Sequence, residues 1–205
     1  HGGLQRRRHA QARHGGGAHG GARVRGVDAG ATPTVTFSLD DQVSEIRSRL
    51  VVGADGRTSA VRRWAGFQVQ RDPDQTLIAG ALFENMSAPE DASHIFPYPK
   101  FGTTVLLFPL GHGTVRSYFC YPFERGYRLS GKKHVRRFVE ESLKTGVPGE
   151  YYSAATVGGP LATFSGAHSW VDHPYRQGVV LVGDAAATSD PTHGQGLSKA
   201  ARDAR

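Results

Sequence analysis

Two aspartates follow apolar runs in the sequence, in positions that suit ligand binding. Asp184 stands after Val179–Val182 and one glycine, and Asp55 stands soon after Leu50–Val52. An apolar run such as Val179–Val182, bounded by glycines, is typical of a strand buried on both faces in a parallel sheet. Ligands of open α/β sheets bind at the carboxyl ends of the strands, where each aspartate is expected. A carboxylate there can accept hydrogen bonds from a ligand's hydroxyl groups.

A glycine-rich segment follows Asp184. Asp190-Pro191 breaks the chain, and Gly194-Gln195-Gly196 leads into Leu197–Asp203, which consists largely of good helix formers. The pattern predicts a helix whose free N–H groups and positive dipole end face an anion or a polarised carbonyl. From these residues alone, a tight strand-to-helix turn that needs glycine only for its geometry is the alternative.

Together these residues resemble the second flavin-binding motif of the FAD-dependent aromatic hydroxylases, the class A flavoprotein monooxygenases. In that family the aspartate holds the ribitol chain of FAD, the proline lies beside the isoalloxazine ring, and the helix start faces the pyrimidine end. The resemblance therefore implies cofactor-binding roles for Gly183, Asp184, Pro191, Gly194, Gln195, Gly196 and Leu197.

The stretch Asp55–Arg63 resembles the other signature of this family, the Asp-Gly motif. There the aspartate and a following arginine lie near the FAD chain and are implicated in binding both FAD and NAD(P)H. The resemblance implies such roles for Asp55, Gly56, Ser59 and Arg62. Taken alone, Asp-Gly after an apolar run also forms ordinary turns.

The resemblance implies an α/β fold, a FAD/NAD(P)-binding Rossmann-like domain with an inserted antiparallel β-sheet lobe for the substrate. No Gly-x-Gly-x-x-Gly loop lies between a strand and a helix, as that motif requires. We therefore expect an N-terminally truncated fragment that lacks the first βαβ unit, leaves Val179–Val182 with an unpaired neighbour position, and holds FAD weakly. The predicted segments are a disordered basic tail (1–22), two parts of the FAD-binding domain (23–71 and 173–205) and the substrate lobe (72–172).

Periodicity within these segments predicts individual elements. Thr34–Leu39 alternates and turns at Asp40-Asp41 into a partner strand running toward Val52. In the lobe, the predicted strands are Thr76–Phe83, Thr103–Pro109 and Thr114–Tyr121, the last two forming a hairpin. A helix over Val135–Leu143, with Ser130 as candidate cap, should cover them. The many lobe aromatics either line a pocket for an aromatic substrate or form an ordinary sheet core.

Composition limits the possible partners. Residues 1–25 carry six arginines and no acid, so they hold six of the seven net positive charges. This confined charge argues against a nucleic-acid partner, and no apolar stretch has transmembrane length. The single Cys120 rules out an intramolecular disulfide and suits a reducing cytoplasm. His9, His14 and His19 do not match zinc-ligand spacing, so we predict no metal site.

The sequence contains no nucleophile elbow, phosphate loop, Cys-x-x-Cys or zinc-binding His-Glu-x-x-His. This favours chemistry carried by a cofactor. The resemblance implies a FAD-dependent monooxygenase that uses NAD(P)H and dioxygen to hydroxylate a small aromatic or apolar substrate. The alternatives are another flavin-dependent reductase or epoxidase, or a non-catalytic remnant. No catalytic residue and no oligomeric state can be assigned from these residues.

Overall fold

A computed structural model describes residues 22–191 and 194–205. The chain divides into two compact units: unit 1 takes in residues up to Arg71 together with His168–Arg205, and unit 2 is Asp72–Ala167. The tail predicted for residues 1–22 lies outside the described residues, apart from Ala22. Residues 168–172, expected in the lobe, lie in unit 1.

Most of the secondary structure consists of strands. The strands are β1 (Arg23–Asp28), β2 (Thr34–Leu39), β3 (Gln42–Arg47), β4 (Val51–Gly53), β5 (Gln70–Arg71), β6 (Thr76–Glu84), β7 (His94–Tyr98), β8 (Thr103–Gly111), β9 (Thr114–Pro122), β10 (Thr156–Val157), β11 (Ala162–Ser165), β12 (Ser169–Trp170), β13 (Tyr175–Arg176), β14 (Val179–Leu181) and β15 (Ala187–Thr188). The helices are α1 (Ala60–Trp64), α2 (Val135–Leu143), α3 (Gly149–Tyr152) and α4 (Gly196–Asp203).

The centre of unit 1 is a parallel pair of short strands. β14 runs parallel to β4, with Leu181 opposite Gly53, and β13 pairs antiparallel with the other edge of β14. The prediction that Val179–Val182 would have an unpaired neighbour position is therefore wrong. The free edge belongs to β4, where Val52 is 54% exposed and no second strand of the described chain pairs.

Two further three-stranded sheets complete unit 1. β1, β2 and β3 form an antiparallel meander that turns at Asp40 and Asp41, both with positive φ. Its third strand ends at Arg47 instead of continuing to Val52 as predicted, because β4 belongs to a different sheet. In the remaining sheet, β12 lies between β5 and β15. The chain leaves unit 1 after β5 and re-enters it just before β12. Because β5 and β12 are paired, the points of exit and re-entry lie side by side.

Unit 2 is a six-stranded antiparallel sheet with α2 packed on one face. The order is β10-β6-β9-β8-β7, and β11 also pairs with β6. The predicted strands and the β8–β9 hairpin are present, as is the predicted helix. Ser130 does not cap that helix, because a 3-10 turn over Lys132–His134 precedes it and His134 takes the cap position.

The lobe aromatics divide between the two sheet faces. Phe83, Phe119 and Tyr121 are buried in the core beneath α2, which contributes Phe138. On the opposite face, Phe108 and Tyr118 contact edge to face with ring centroids 6.0 Å apart, and both are half-buried. The largest buried rings thus form a sheet core, and the Phe108–Tyr118 pair lies outside it.

Two absences hold for the described part of the chain. None of its helices is long and apolar enough to cross a membrane. Within residues 22–191 and 194–205, no three His, Cys, Asp or Glu side chains are grouped as a metal site would need.

Candidate functional site

The two aspartate motifs leave the central sheet of unit 1 side by side. The register sets Leu181 opposite Gly53, and the N–H of Val182 donates to the carbonyl of Gly53 over 3.0 Å. A Cβ on Gly53 would lie 2.8 Å from Leu181 Cδ2 and 2.9 Å from Val61 Cγ1, so any other residue here would displace these side chains. Since the strands are parallel, Asp55 and Asp184 both follow at the carboxyl edge, where α/β folds bind ligands.

Asp55 is held by the start of α1. Its carboxylate accepts hydrogen bonds from the Ser59 hydroxyl, from the N–H of Ala60 (2.6 Å) and from the N–H of Val61 (3.1 Å). Ser59 Oγ in turn accepts the N–H of Arg62 at 2.9 Å and caps the helix. Burial by itself raises the pKa of Asp55, but the hydrogen bonds from Ser59, Val61 and Ala60 outweigh it, so its pKa lies below 3.8.

This network predicts a pH-dependent contribution to the stability of unit 1. Because the pKa of Asp55 is lower in the folded than in the unfolded chain, its carboxylate stabilises the fold above about pH 4, and this is lost as the pH falls through the lowered pKa. Asp55→Asn should therefore destabilise unit 1 at pH 7, with a difference from the parent that shrinks at pH 3. Urea unfolding followed by tryptophan fluorescence measures both values.

The matched control is Asp41→Asn, which removes one carboxylate from the β2–β3 turn, at a positive φ that asparagine also tolerates. It should show no comparable difference at either pH. An equal loss of stability for Asp55→Asn at pH 7 and pH 3 would contradict the assigned role of the ionised carboxylate.

Arg62 links the two motifs. Its Nη1 donates to the carbonyl of Ala185 at 3.0 Å, and its Nη2 donates to the carbonyl of Arg57 at 2.8 Å. Its Nε is buried and has no hydrogen-bond partner within the described residues. In the structure its guanidinium joins the Asp55 turn to the Asp184 turn. The role toward the cofactor that the sequence resemblance implies for Arg62 stays a prediction.

Asp184 presents a carboxylate to solvent. It lies in a 3-10 turn over Gly183–Ala185, in which Gly183 has a φ of 57°, a left-handed conformation that favours glycine. The side chain is exposed, and it makes no hydrogen bond with the residues that the structure describes. Asp184 is thus the strand-end carboxylate of this site that is open to a ligand.

The first backbone N–H groups of α4 also lack a hydrogen-bond acceptor within the described chain. Gln195 occupies the cap position without a side-chain hydrogen bond, and the N–H of Lys199 is the first to pair, with the Gln195 carbonyl at 3.0 Å. The N–H groups of Gly196–Ser198 have no acceptor in the described chain. Pro191 and Leu197 beside them are exposed, Leu197 by 88%. His193 and Thr192 lie outside the described residues.

Comparison with known proteins places these features in a family. Residues 7–205 match a family model described as "FAD binding domain". The chain belongs to this FAD-binding family. The described residues have the mixed α/β content, antiparallel sheets and parallel strand pair that were predicted, and they form no closed barrel.

Individual relatives of this FAD-binding domain have two kinds of activity in their names. The chain is 29% identical over 182 residues to digeranylgeranylglycerophospholipid reductase 2 of Methanopyrus kandleri, covering 83% of this chain and 43% of that protein. It is 31% identical over 177 residues to 6-methylpretetramide 4-monooxygenase of Streptomyces rimosus, covering 78% of this chain and 38% of that protein. The chain thus spans less than half the length of either.

A solved structure shares the fold of this FAD-binding domain. CabE, an aromatic hydroxylase from angucycline biosynthesis, superposes with a TM-score of 0.65 at 26% identity, over 88% of this chain and 36% of CabE.

The residues of this FAD-binding domain fit the part of FAD that the motifs imply. A ribitol chain offers hydroxyl donors, and the exposed carboxylate of Asp184 is a free acceptor at the sheet edge. The pyrimidine end of a reduced flavin carries negative charge, and the uncapped start of α4 offers N–H donors with the positive end of the helix dipole. The acceptor at Asp184 and the donors at the start of α4 therefore suit these two parts of FAD chemically.

One contact of the site was not predicted. Asp203, in the last turn of α4, accepts the N–H of Gly183 with its Oδ2 at 2.9 Å. A carboxylate near the C-terminus of a helix opposes the helix dipole, and this conflict was the available sequence signal. The partner could not be named in advance, because it depends on how α4 packs against the Gly183 turn.

Proposed function

We propose that this chain contributes the ribitol- and ring-binding part of the FAD site in a flavin-dependent monooxygenase. The observation that carries the proposal is the parallel β4–β14 pair, which brings the Asp55 and Asp184 turns to one sheet edge. The family match and the uncapped start of α4 support the same assignment. A cytoplasmic location, suited by the single cysteine, is part of the proposal.

Each part of the site has a task in this proposal. When bound, FAD supplies the electron transfer between NAD(P)H and dioxygen that hydroxylation requires. Asp184 orients the ribitol hydroxyls, and the N–H groups at the start of α4, those of Gly196 and Leu197, stabilise negative charge at the pyrimidine end. Pro191 packs beside the ring. Asp55, Gly56, Ser59 and Arg62 keep the neighbouring turn in place.

Unit 2 is the proposed substrate lobe, and an aromatic or apolar molecule is the proposed substrate. The Phe108–Tyr118 pair, on the sheet face opposite α2, offers rings for stacking. Gly80 leaves room for this ring, since a Cβ there would lie 2.7 Å from Tyr118 Cε1. The names of the monooxygenase relative and of CabE, an aromatic hydroxylase, point the same way.

A flavin-dependent reductase is the second candidate, and it rests on the similarity to the reductase of Methanopyrus kandleri. The two candidates differ in their need for dioxygen. A monooxygenase needs both NAD(P)H and dioxygen to hydroxylate an aromatic substrate. A reductase of this second kind instead needs only a reductant such as NAD(P)H, so it should reduce its substrate under nitrogen.

The flavin site itself is tested on the 205-residue chain by NMR, which detects weak binding. Riboflavin, which contains the ribitol and ring but no adenosine, should shift backbone amide signals near Asp184, Gly196 and Asp55. AMP, which lacks the ring and ribitol, should shift none of these. Absence of riboflavin shifts at these three places would refute the proposed site.

Asp184→Ala should weaken riboflavin or FAD binding by about 1.5–3 kcal/mol, or roughly 10- to 150-fold in Kd, because a hydrogen-bonding charged acceptor is lost. Flavin fluorescence during protein titration gives the Kd. Glu45→Ala removes an exposed carboxylate from β3 and should leave the Kd unchanged. If the Kd of Asp184→Ala equals that of the parent, Asp184 does not belong to the site.

A further inference from the structure

The helix α4 contacts the candidate site at both of its ends. Its N-terminus provides the uncapped N–H groups, and its last turn carries Asp203, whose carboxylate accepts the N–H of Gly183 at 2.9 Å. Gly183 directly precedes Asp184. An eight-residue helix is about 12 Å long, so both contacts belong to one short element.

We propose that Asp203 is a positioning residue of the flavin site, which fixes the turn that presents the Asp184 carboxylate. This inference rests on the proposed function. In this role Asp203 would not contact the flavin itself. It acts through the backbone of Gly183, and it simultaneously sets the position of α4 relative to the Asp184 turn.

The electrostatics of the helix single out this contact. An acidic residue in the last turn faces the negative end of the helix dipole, which is unfavourable. A hydrogen bond to a charged acceptor is stronger than this dipole effect and offsets it. The carboxylate is therefore favourable here only while the Gly183 N–H is its partner.

Packing leaves the Gly183 turn little freedom beside α4. A Cβ on Gly183 would lie 3.2 Å from the Cβ of Ala200, one turn before Asp203 on the same helix face. On the following loop, Lys199 Nζ donates to Ser189 Oγ at 3.2 Å. Close packing and two hydrogen bonds thus hold this part of the chain against α4, and of these two hydrogen bonds the one to Asp203 lies nearer to Asp184.

Three variants of the 205-residue chain test the role. Asp203→Leu removes the acceptor at similar volume, Asp203→Asn keeps an acceptor oxygen without the charge, and Asp41→Asn is the control for loss of one negative charge. The first readout is hydrogen–deuterium exchange of the Gly183 amide, measured by NMR without flavin. The second readout is the Kd for riboflavin.

In Asp203→Leu, Gly183 exchange should accelerate about tenfold or more, and the riboflavin Kd should rise about tenfold, as expected for the loss of a charge-assisted hydrogen bond. In Asp203→Asn, the Gly183 exchange rate and the riboflavin Kd should both rise less than in Asp203→Leu. Asp41→Asn should match the parent in both readouts. If Asp203→Leu does not fold, Asp203→Asn decides, with an expected increase of about threefold in both readouts.

The two readouts separate the possible failures. Unchanged Gly183 exchange in both Asp203 variants would overturn the contact itself. Faster exchange with an unchanged riboflavin Kd would overturn the positioning role and leave Asp203 a purely structural residue. If the unsubstituted chain shows no riboflavin shifts, the flavin site and the positioning role both fail, and the exchange result still shows whether Asp203 holds the Gly183 turn.

Discussion

Replacing Phe138 with alanine should destabilise unit 2 by about 3–5 kcal/mol, the range for removing a fully buried ring. Phe138 is completely inaccessible, and its ring centroid lies 5.9 Å from that of Phe83 and 6.4 Å from that of Phe119. It is thus a main attachment of α2 to the sheet. Truncation would leave a cavity between α2 and these two rings that the strands of the sheet cannot move to fill.

The distribution of aromatic residues allows each unit to be followed separately. Trp64 and Trp170 both lie in unit 1, and every tyrosine except Tyr175 lies in unit 2. Urea unfolding of unit 2 is measured by tyrosine near-ultraviolet circular dichroism, and unfolding of unit 1 by tryptophan fluorescence. Arg136→Ala, on the solvent face of the same helix, is the control and should cost about 0.5 kcal/mol or less. A loss below about 1 kcal/mol for Phe138→Ala would contradict the assigned core.

Arg62→Ala should destabilise unit 1 by about 3 kcal/mol, because two hydrogen bonds from a charged donor are lost together. One of them satisfies the carbonyl of Ala185, a fully buried residue, and the other satisfies the carbonyl of Arg57. With the guanidinium removed, the carbonyls of Ala185 and Arg57 both lose the hydrogen bond that Arg62 donates. The Asp55 turn would also lose its side-chain connection to the Asp184 turn, so riboflavin affinity should fall as well.

Tryptophan fluorescence during urea unfolding measures this loss. Arg63→Ala is the matched control, because the adjacent arginine also donates to a backbone carbonyl, that of Thr58 at 2.7 Å, but is exposed. It should cost under about 1 kcal/mol. Equal losses for Arg62→Ala and Arg63→Ala would show that Arg62 does not link the two motifs.

Features with a local sequence signal were predicted correctly. The β8–β9 hairpin has Gly111 and Gly113 in its turn, each with positive φ, and alternating apolar residues on both sides. The amphipathic pattern of α2 and the apolar run of β14 are likewise properties of a few consecutive residues. The family match confirms the resemblance drawn from the two motifs. The roles of individual residues toward FAD stay predictions.

Features that depend on distant partners were missed. β13 has two residues, too few to show a period, yet it pairs with β14 and leaves the free edge to β4. Ser130 has the right chemistry for a helix cap but is separated from α2 by a 3-10 turn. The partners of Arg62 and Asp203 lie in other elements, so neither hydrogen bond has a signature in adjacent residues.

Unit 1 is built from two parts of the chain with unit 2 between them, and this affects the order of folding during synthesis. Val51 of β4 pairs with Val179 of β14, 128 residues later (179 − 51), so at 5–20 residues per second β4 waits about 6–26 s for its partner. Unit 2 has been synthesised in full before β14 emerges. The two ends of unit 2 meet where the Gly166 N–H donates to the Thr76 carbonyl at 2.9 Å.

Once unit 2 has folded, the flexible path between β4 and β14 shortens to roughly 40 residues, which lowers the entropic cost of joining them by about 1 kcal/mol. Unit 2 therefore assists the assembly of unit 1 simply by holding its own ends together. A mutation in the unit 2 core, such as Phe138→Ala, would then also slow the formation of the β4–β14 pair, although it lies in the other unit.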